Sequence, residues 1–379
     1  MGIFHHYSSG KHKICPNPSL NEGTKDPLIT TRSVLITSRC PNDLVGGMAF
    51  YDLNIIISGI CAAFTITVMM VFKQLHATHL SNPSEQVKIM RISTLITMYS
   101  LISFLSVCFP TAEVYIDPWL SLVEGLAFCS FFLLLCDYVC PNIDQREAFF
   151  AMKKTSGVKW FRIRWFMVFQ MPIVALVVSI ATDVTAAVGI YCRWSFMPHF
   201  AKFWLRLIQI ISLVTAVLSI LQFYHFLKTD LTQRRPLLKL IAFKIIVFLN
   251  FVQGILFWVL TDIGALKETD TLTFADLHVG IPNLLVCIEM VPLSLFFLWV
   301  YSWRVYVNNN SHGSCITMDR PGQRSRLYQG GPLGVHAWLT MIKPAGIIES
   351  ILVVSGRSGP LTNLGEDDGV DNQPLNPNR

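Results

Sequence analysis

Between residues 236 and 257 the chain reads PLLKLIAFKIIVFLNFVQGILF, an apolar run that nonetheless carries Lys239, Lys244, Asn250 and Gln253. A buried helix of a soluble domain seldom runs this far without a solvated face. About 20 residues at ~1.5 Å rise cross the ~30 Å hydrocarbon core of a bilayer. Pro236 suits a helix start, because the N–H it lacks would find no partner there.

Six further runs match this one in length: 53–72, 92–109, 119–138, 165–182, 207–226 and 281–301. The chain is 52% hydrophobic and 14% charged over 379 residues, against about 25% charged in an ordinary soluble domain. The reading is an all-α polytopic membrane protein, a seven-transmembrane helix bundle with disordered tails. Residues 1–50 form a polar N-terminal tail, 51–305 the seven-helix domain, and 306–379 a largely disordered C-terminal tail. Within that tail, residues 345–354 form an apolar island too short to span, suited to lying on a surface or binding a partner. The net charge of +6 is no nucleic-acid signal in such a chain, since placement of Lys and Arg reports orientation.

The connections after the first, third and fifth runs, with Lys239, hold 13 basic residues, including Lys73, Lys88, Arg91, Arg146 and Arg162. Those after the second, fourth and sixth hold four: Arg193, Lys202, Arg206 and Lys267. The positive-inside rule then places the N-terminus outside the cytosol and the C-terminus within it. The membrane itself, plasma membrane or an endomembrane such as the vacuolar one, is left open by this count.

Three stretches carry a family resemblance. RISTLITMYSLISFLSVCFPTAEVYIDPWLSLVEGLAF covers the second and third runs, FYHFLKTDLTQRRPLLKLIAFKIIVFLNFVQGILF leads into and through the sixth, and CIEMVPLSL lies in the seventh. In this order they resemble the organic solute transporter alpha-subunit family, including its fungal and plant relatives. The resemblance implies seven helices with an extracytoplasmic N-terminus. It also implies facilitative transport of amphipathic organic solutes, organic anions and sterol- or bile-acid-like molecules, together with a single-span partner subunit. Other branches of that family are trafficking, receptor or signalling proteins, so a non-transporting factor acting through cytosolic loops and tail is the alternative. Members carry lipidated cysteines after the third span, where this chain has Cys136 and Cys140. Those two are either S-acylated or free thiols.

Polar groups inside the runs are the candidates for a substrate path. Glu289 lies deep in the seventh run, as a substrate- or proton-linked group or as an interhelical hydrogen bond. Asn250 and Gln253 share one face of the sixth run, with Lys244 on another. Gln209, Ser212, Thr215, Ser219 and Gln222 fall within about 140° of arc along the fifth. Such a stripe lines a wet path or packs a neighbouring helix closely. Glu124, near the outer end of the third run, matches a glutamate in the family pattern. Lys239 is read as interfacial, and His76 and His79 as solvated loop residues without a third metal ligand.

The sequence contains no GxSxG, HExxH or Gly-rich GK[ST] loop, so neither an enzyme nor a cofactor-dependent activity is expected. The expected partners are the lipid bilayer, an amphipathic organic solute, and a single-span subunit or a second copy to cover polar faces. Nucleic acid is not among them.

Overall fold

The computed structural model describes residues 49–142, 145–192, 198–231, 236–263, 272–273, 275–307 and 331–343. In chain order the helices are α1 (Phe50–Thr78), α2 (Pro83–Cys108), the single turn α3 (Glu113–Ile116), α4 (Pro118–Val139), α5 (Arg146–Lys153) and α6 (Gly157–Ala187). There follow α7 (Ala201–Phe226), the short α8 (Lys228–Leu231), α9 (Pro236–Asp262), a π-turn (Asp276–Gly280) leading into α10 (Ile281–Val300), and α11 (Arg304–Val307). A 3-10 turn (Pro332–Gly334) and α12 (Val335–Ile342) complete the set.

The described residues make an all-α fold. Six of its helical stretches, 25 to 31 residues each, are long and apolar enough to cross a membrane. The 27-residue α9, whose side chains are described only in part, occupies the place of the sixth expected span. The helices run past the apolar segments at most ends, because an α-helix continues beyond the hydrocarbon slab for as long as its residues allow. Prolines set several starts: Pro83 and Pro118 open α2 and α4, and Pro282 sits in the first turn of α10. Pro110, two residues past α2, bars its continuation.

α2 and α4 are the inner helices, buried over most of their length, whereas α1 and α7 expose large faces. α1 packs on α2 and α10, α4 on α2 and α6, α7 on α6, and α9 on α10. The exposed faces of α1 and α7 are apolar, with Ile56, Ile60, Phe64 and Val71 on the first and Ile208, Ile211, Val214 and Leu218 on the second. They meet lipid, as befits a multi-pass integral membrane protein.

Small and hydroxyl side chains bring helices close without the apolar driving force that water would supply. At Gly125 of α4, a Cβ would meet Pro172 Cα of α6 at 2.8 Å, so the two backbones touch there. Ser179 of α6 donates to the Pro118 carbonyl at 2.7 Å, closing the same pair one end further on. Between α1, α2 and α10 runs a seam of Asn54, Ser58, Thr65, Ser93, Ser100 and Ser106, all buried.

The end of the bundle that carries α5 is tied by charge. Asp137, buried near the end of α4, accepts from Arg146 Nη2 of α5 at 2.6 Å, from Ser84 Oγ of α2 at 2.8 Å, and from Lys88. Arg146 Nε also donates to the Cys140 carbonyl at 3.1 Å. Gln86 closes the α1–α2 connection, accepting from the Ser81 and Asn82 N–H groups and donating to the His79 carbonyl.

Three sequence readings change here. His76 is fully buried, its Nε2 2.9 Å from the Tyr301 carbonyl at the end of α10. It is not a solvated loop residue, because α1 continues through Thr78 and turns that face toward α10. Lys73, counted among loop charges, is buried in α1 with Nζ 3.5 Å from Thr97 Oγ1. Within the segment read as a polar tail, residues 331–343 are helical and packed against α1 and α2. The apolar island at 345–354 lies outside the described residues.

Candidate functional site

Three helices bring polar groups together at the end of the bundle opposite α5. Tyr99, fully buried on α2, donates its phenol to the Glu124 carboxylate of α4. Gly125 fixes the azimuth: it faces Pro172 of α6, so Glu124, ~100° round the helix, turns away from α6 and toward α2. Arg206 of α7 and Asp117 at the start of α4 are both close enough to act on Glu124 electrostatically. Tyr191, between α6 and α7, borders the same group. Burial and the Asp117 charge push its phenol up, while Arg206 opposes them.

Gln209, one turn from Arg206 on α7, is buried with an Oε1 that finds no hydrogen-bond partner among the described residues. An unsatisfied buried carbonyl costs on the order of 1–3 kcal/mol, which makes it a ready acceptor for a ligand or a water. The cluster thus offers a carboxylate, a phenol, a guanidinium and a free amide acceptor within ~13 Å of one membrane face, counting ~1.5 Å per residue from the helix ends. Arg206 is the exposed member.

Ser212 and Thr215 of the α7 stripe pack against α6. Gln170 of α6 donates to Thr215 Oγ1 at 3.0 Å and to the Ser212 carbonyl at 3.1 Å, and accepts from Ser212 Oγ at 3.1 Å. Ser219 is buried on the same face of α7. Gln222 is exposed and lines an open groove of about 560 Å³ with Trp160, Tyr224 and His225.

A second polar locus lies between α9 and α10. Gln253 Nε2 donates to the Pro282 carbonyl at 2.8 Å, with its Oε1 lacking a partner among the described residues. Glu289, two turns further along α10, is half-buried, and its Oε2 has no hydrogen-bond partner among the described residues. The side chains of Asn250 and Lys244 lie outside the described residues. Lys239 sits over the Tyr138 ring and donates to its hydroxyl at 2.6 Å, at the α5 end. α7 packs on α6 and α9 on α10, with no comparable packing of α7 on α9 among the described residues. Of the fifth-run candidates only Gln209 lies beside the Tyr99–Glu124 group, one turn from Arg206; Ser212 and Thr215 face Gln170, and Gln253 and Glu289 lie on the separate α9–α10 pair.

Of the two cysteines read as lipidation candidates, Cys136 is 2% exposed and closed to acylating enzymes in this conformation. Cys140, at the end of α4, is half-exposed. No group of three or more metal-ligating side chains occurs among the described residues. Tyr99, Gln170 and Arg206 were absent from the sequence candidates. Tyr99 and Gln170 are polar groups inside apolar runs and could have been found by the rule that raised Glu124. Arg206 was counted as a loop charge.

Long apolar helices, six of them able to cross a membrane among the described residues, with polar groups buried between them, mark a multi-pass membrane protein. The chain belongs to the family described as organic solute transporter Ostalpha, whose model matches residues 54–306. It is similar to a transmembrane protein 184 homolog of Dictyostelium discoideum, 25% identical over 69% of this chain and 55% of that protein. It is also similar to Protein LAZ1 of Arabidopsis thaliana, 24% identical over 64% of this chain and 56% of that one. The chain thus spans about half the length of these curated relatives. No solved structure matches it.

Proposed function

We propose that the chain is a facilitative carrier for amphipathic organic solutes, organic anions and sterol- or bile-acid-like molecules, rather than an enzyme. The observation that carries this reading is the Tyr99–Glu124 pair beside Arg206 and Gln209, reached from one membrane face. Recognition of such solutes takes apolar walls and a few oriented polar groups. Arg206 attracts an anionic head, and a solute hydroxyl takes the place of the Tyr99 phenol on Glu124. The sequence holds no nucleotide-binding motif, which argues against a primary pump in this chain, and the family resemblance suggests movement down the solute gradient. Glu289, deep in α10, is a second station near the membrane midplane, where carriers commonly hold substrate.

The N-terminus faces away from the cytosol and the α5 end faces it, by the distribution of basic residues. Cys192, on the α2–α4 side, is disulfide-bonded, in keeping with an oxidising compartment there. A single-span subunit or a second copy is the partner that membership of this family suggests.

The test is uptake of a labelled sterol sulfate by purified protein in liposomes. Saturable, downhill uptake that falls in Arg206→Ala and Glu124→Gln supports the carrier. Folded protein that adds nothing to the leak of empty liposomes rejects it. In that case the rival, a receptor or trafficking factor working through its cytosolic loops, becomes the better reading.

A further inference from the structure

α12 is a short helix with three kinds of surface. At ~100° per residue, Ala337, Trp338 and Met341 form one sector, packed on Ala77, Leu80, Val87 and Met90 of the α1–α2 hairpin. His336 and Thr340 form a polar sector. Between the two, Val335, Leu339 and Ile342 form a third, apolar and exposed, which Leu333 extends at 80% exposure. A helix bathed in cytosol would carry polar residues there.

The docking is specific. The Trp338 indole donates to Gln74 Oε1 at 3.0 Å, and Gln74 Nε2 donates to the Leu333 carbonyl at 3.0 Å. Arg91 of α2 takes the open carbonyls at the far end, Thr340 at 2.8 Å, Met341 at 3.1 Å and Lys343 at 2.7 Å. A cation on the last turn of a helix is favourably placed against its dipole. Gly331, Leu333 and Gly334 all have positive φ, and a Cβ on Gly334 would meet Ala77 Cβ at 2.7 Å. The turn therefore holds α12 flat against the hairpin.

The depth of the dock is set by the hairpin. Ala77 and Val87 each lie five residues beyond the apolar runs that stop at Phe72 and begin at Ile92, about 7.5 Å along the helix axis. That is the headgroup layer, about 5–7.5 Å thick on each side of the hydrocarbon core, within reach of the acyl boundary into which amphipathic helices immerse one face by ~5–10 Å. The exposed sector also continues an established lipid face, because Gln74, which holds Leu333, is one turn from the exposed Met70 and Val71 of α1.

We propose that α12 is an interfacial helix, its Leu333, Val335, Leu339 and Ile342 immersed in the lipid leaflet at the α5 end while Ala337 and Trp338 stay docked on α1 and α2. The occupant of the exposed sector is lipid, not a second protein. Hydrocarbon accepts the apolar sector, the polar sector looks to water, and the docked sector fixes the helix in the plane.

A benzophenone amino acid replacing Leu339 in the full chain, in its own membrane, tests this. Val71 serves as the lipid-facing control and His336 as the water-facing one. All three sites are on the surface, so folding is undisturbed. Irradiation is expected to give phospholipid adducts at 339 to a degree similar to 71 and several-fold above 336. Adducts at 339 on another protein or on residues 344–379 overturn the proposal, and so does a lipid yield no higher than that of 336.

Discussion

Arg146 reaches the Asp137 carboxylate at 2.6 Å from a helix that lies outside the spans, and both side chains are about 95% or more buried. With Lys88 and Ser84 on the other oxygen, Asp137 joins α2, α4 and α5. Removing one partner of a buried ion pair typically costs about 3–5 kcal/mol, because the other charge is stranded. Asp137→Ala should lower thermal stability in detergent by about that amount, with Asp137→Asn intermediate. An unchanged midpoint in Asp137→Ala would show that water already screens the site.

Tyr99→Phe deletes one hydrogen bond to the Glu124 carboxylate and little volume. Bonds to charged groups contribute about 1.5–3 kcal/mol, and the solute must displace this one, so the solute concentration for half-maximal uptake should fall roughly tenfold or more in Tyr99→Phe. Glu124→Gln weakens the bond the solute hydroxyl makes and should raise that concentration, without loss of protein from the membrane. Uptake indifferent to both changes would remove this cluster from the path.

Glu289→Gln preserves size and hydrogen-bonding capacity but abolishes titration. If Glu289 is a station on the path, uptake and its pH dependence both change while abundance holds. Lower abundance with unaltered activity per molecule would assign Glu289 to structure alone.

Outside the membrane, Glu147 of α5 accepts from Arg162 of α6 at 2.8 and 3.0 Å. This hydrogen bond holds the Glu147 carboxyl below its usual range, against a smaller effect of burial. A lowered folded-state value means the contribution is complete above the ordinary glutamate value, about 4.3, and is lost as pH falls through the lowered one. The stability difference between the native chain and Glu147→Gln should therefore be constant near neutrality and shrink as pH falls below the ordinary glutamate value through the lowered one. Both groups are largely exposed, so the difference is small. A gap that persists in acid would assign it to something other than this pair.

Gly334→Ala adds a methyl group where the backbone is left-handed and Ala77 is already in contact. Hydrogen exchange across residues 331–343 should accelerate, with exchange in α4 and α6 unchanged. Equal protection would mean that the turn relaxes without releasing α12.

The spans were legible because hydrocarbon imposes one length on every crossing helix, and their apolar runs mark it. The α7 stripe was legible as a face but not as a contact, since spacing cannot say that Gln170 of another helix would fill it. His76 and Lys73 were misplaced because an apolar run ends before its helix does. α12 passed unnoticed, being eight residues long and stabilised by the hairpin it touches. The Tyr99–Glu124 pair needed the α2–α4 packing, because the sequence singled out Glu124 alone and gave it no partner.

The bond from His76 to the Tyr301 carbonyl joins residues 225 positions apart, from the first span to the end of the last. During synthesis α1 enters the membrane long before α10 exists, with His76 lacking its permanent partner. Ser58 and Thr67 can satisfy themselves on their own helix, through the Asn54 and Ala63 carbonyls, but His76 cannot. Assembly of the bundle therefore finishes where translation of the helical domain finishes. Until then the first helix needs water at the interface, or a chaperone of the insertion machinery, to hold its place.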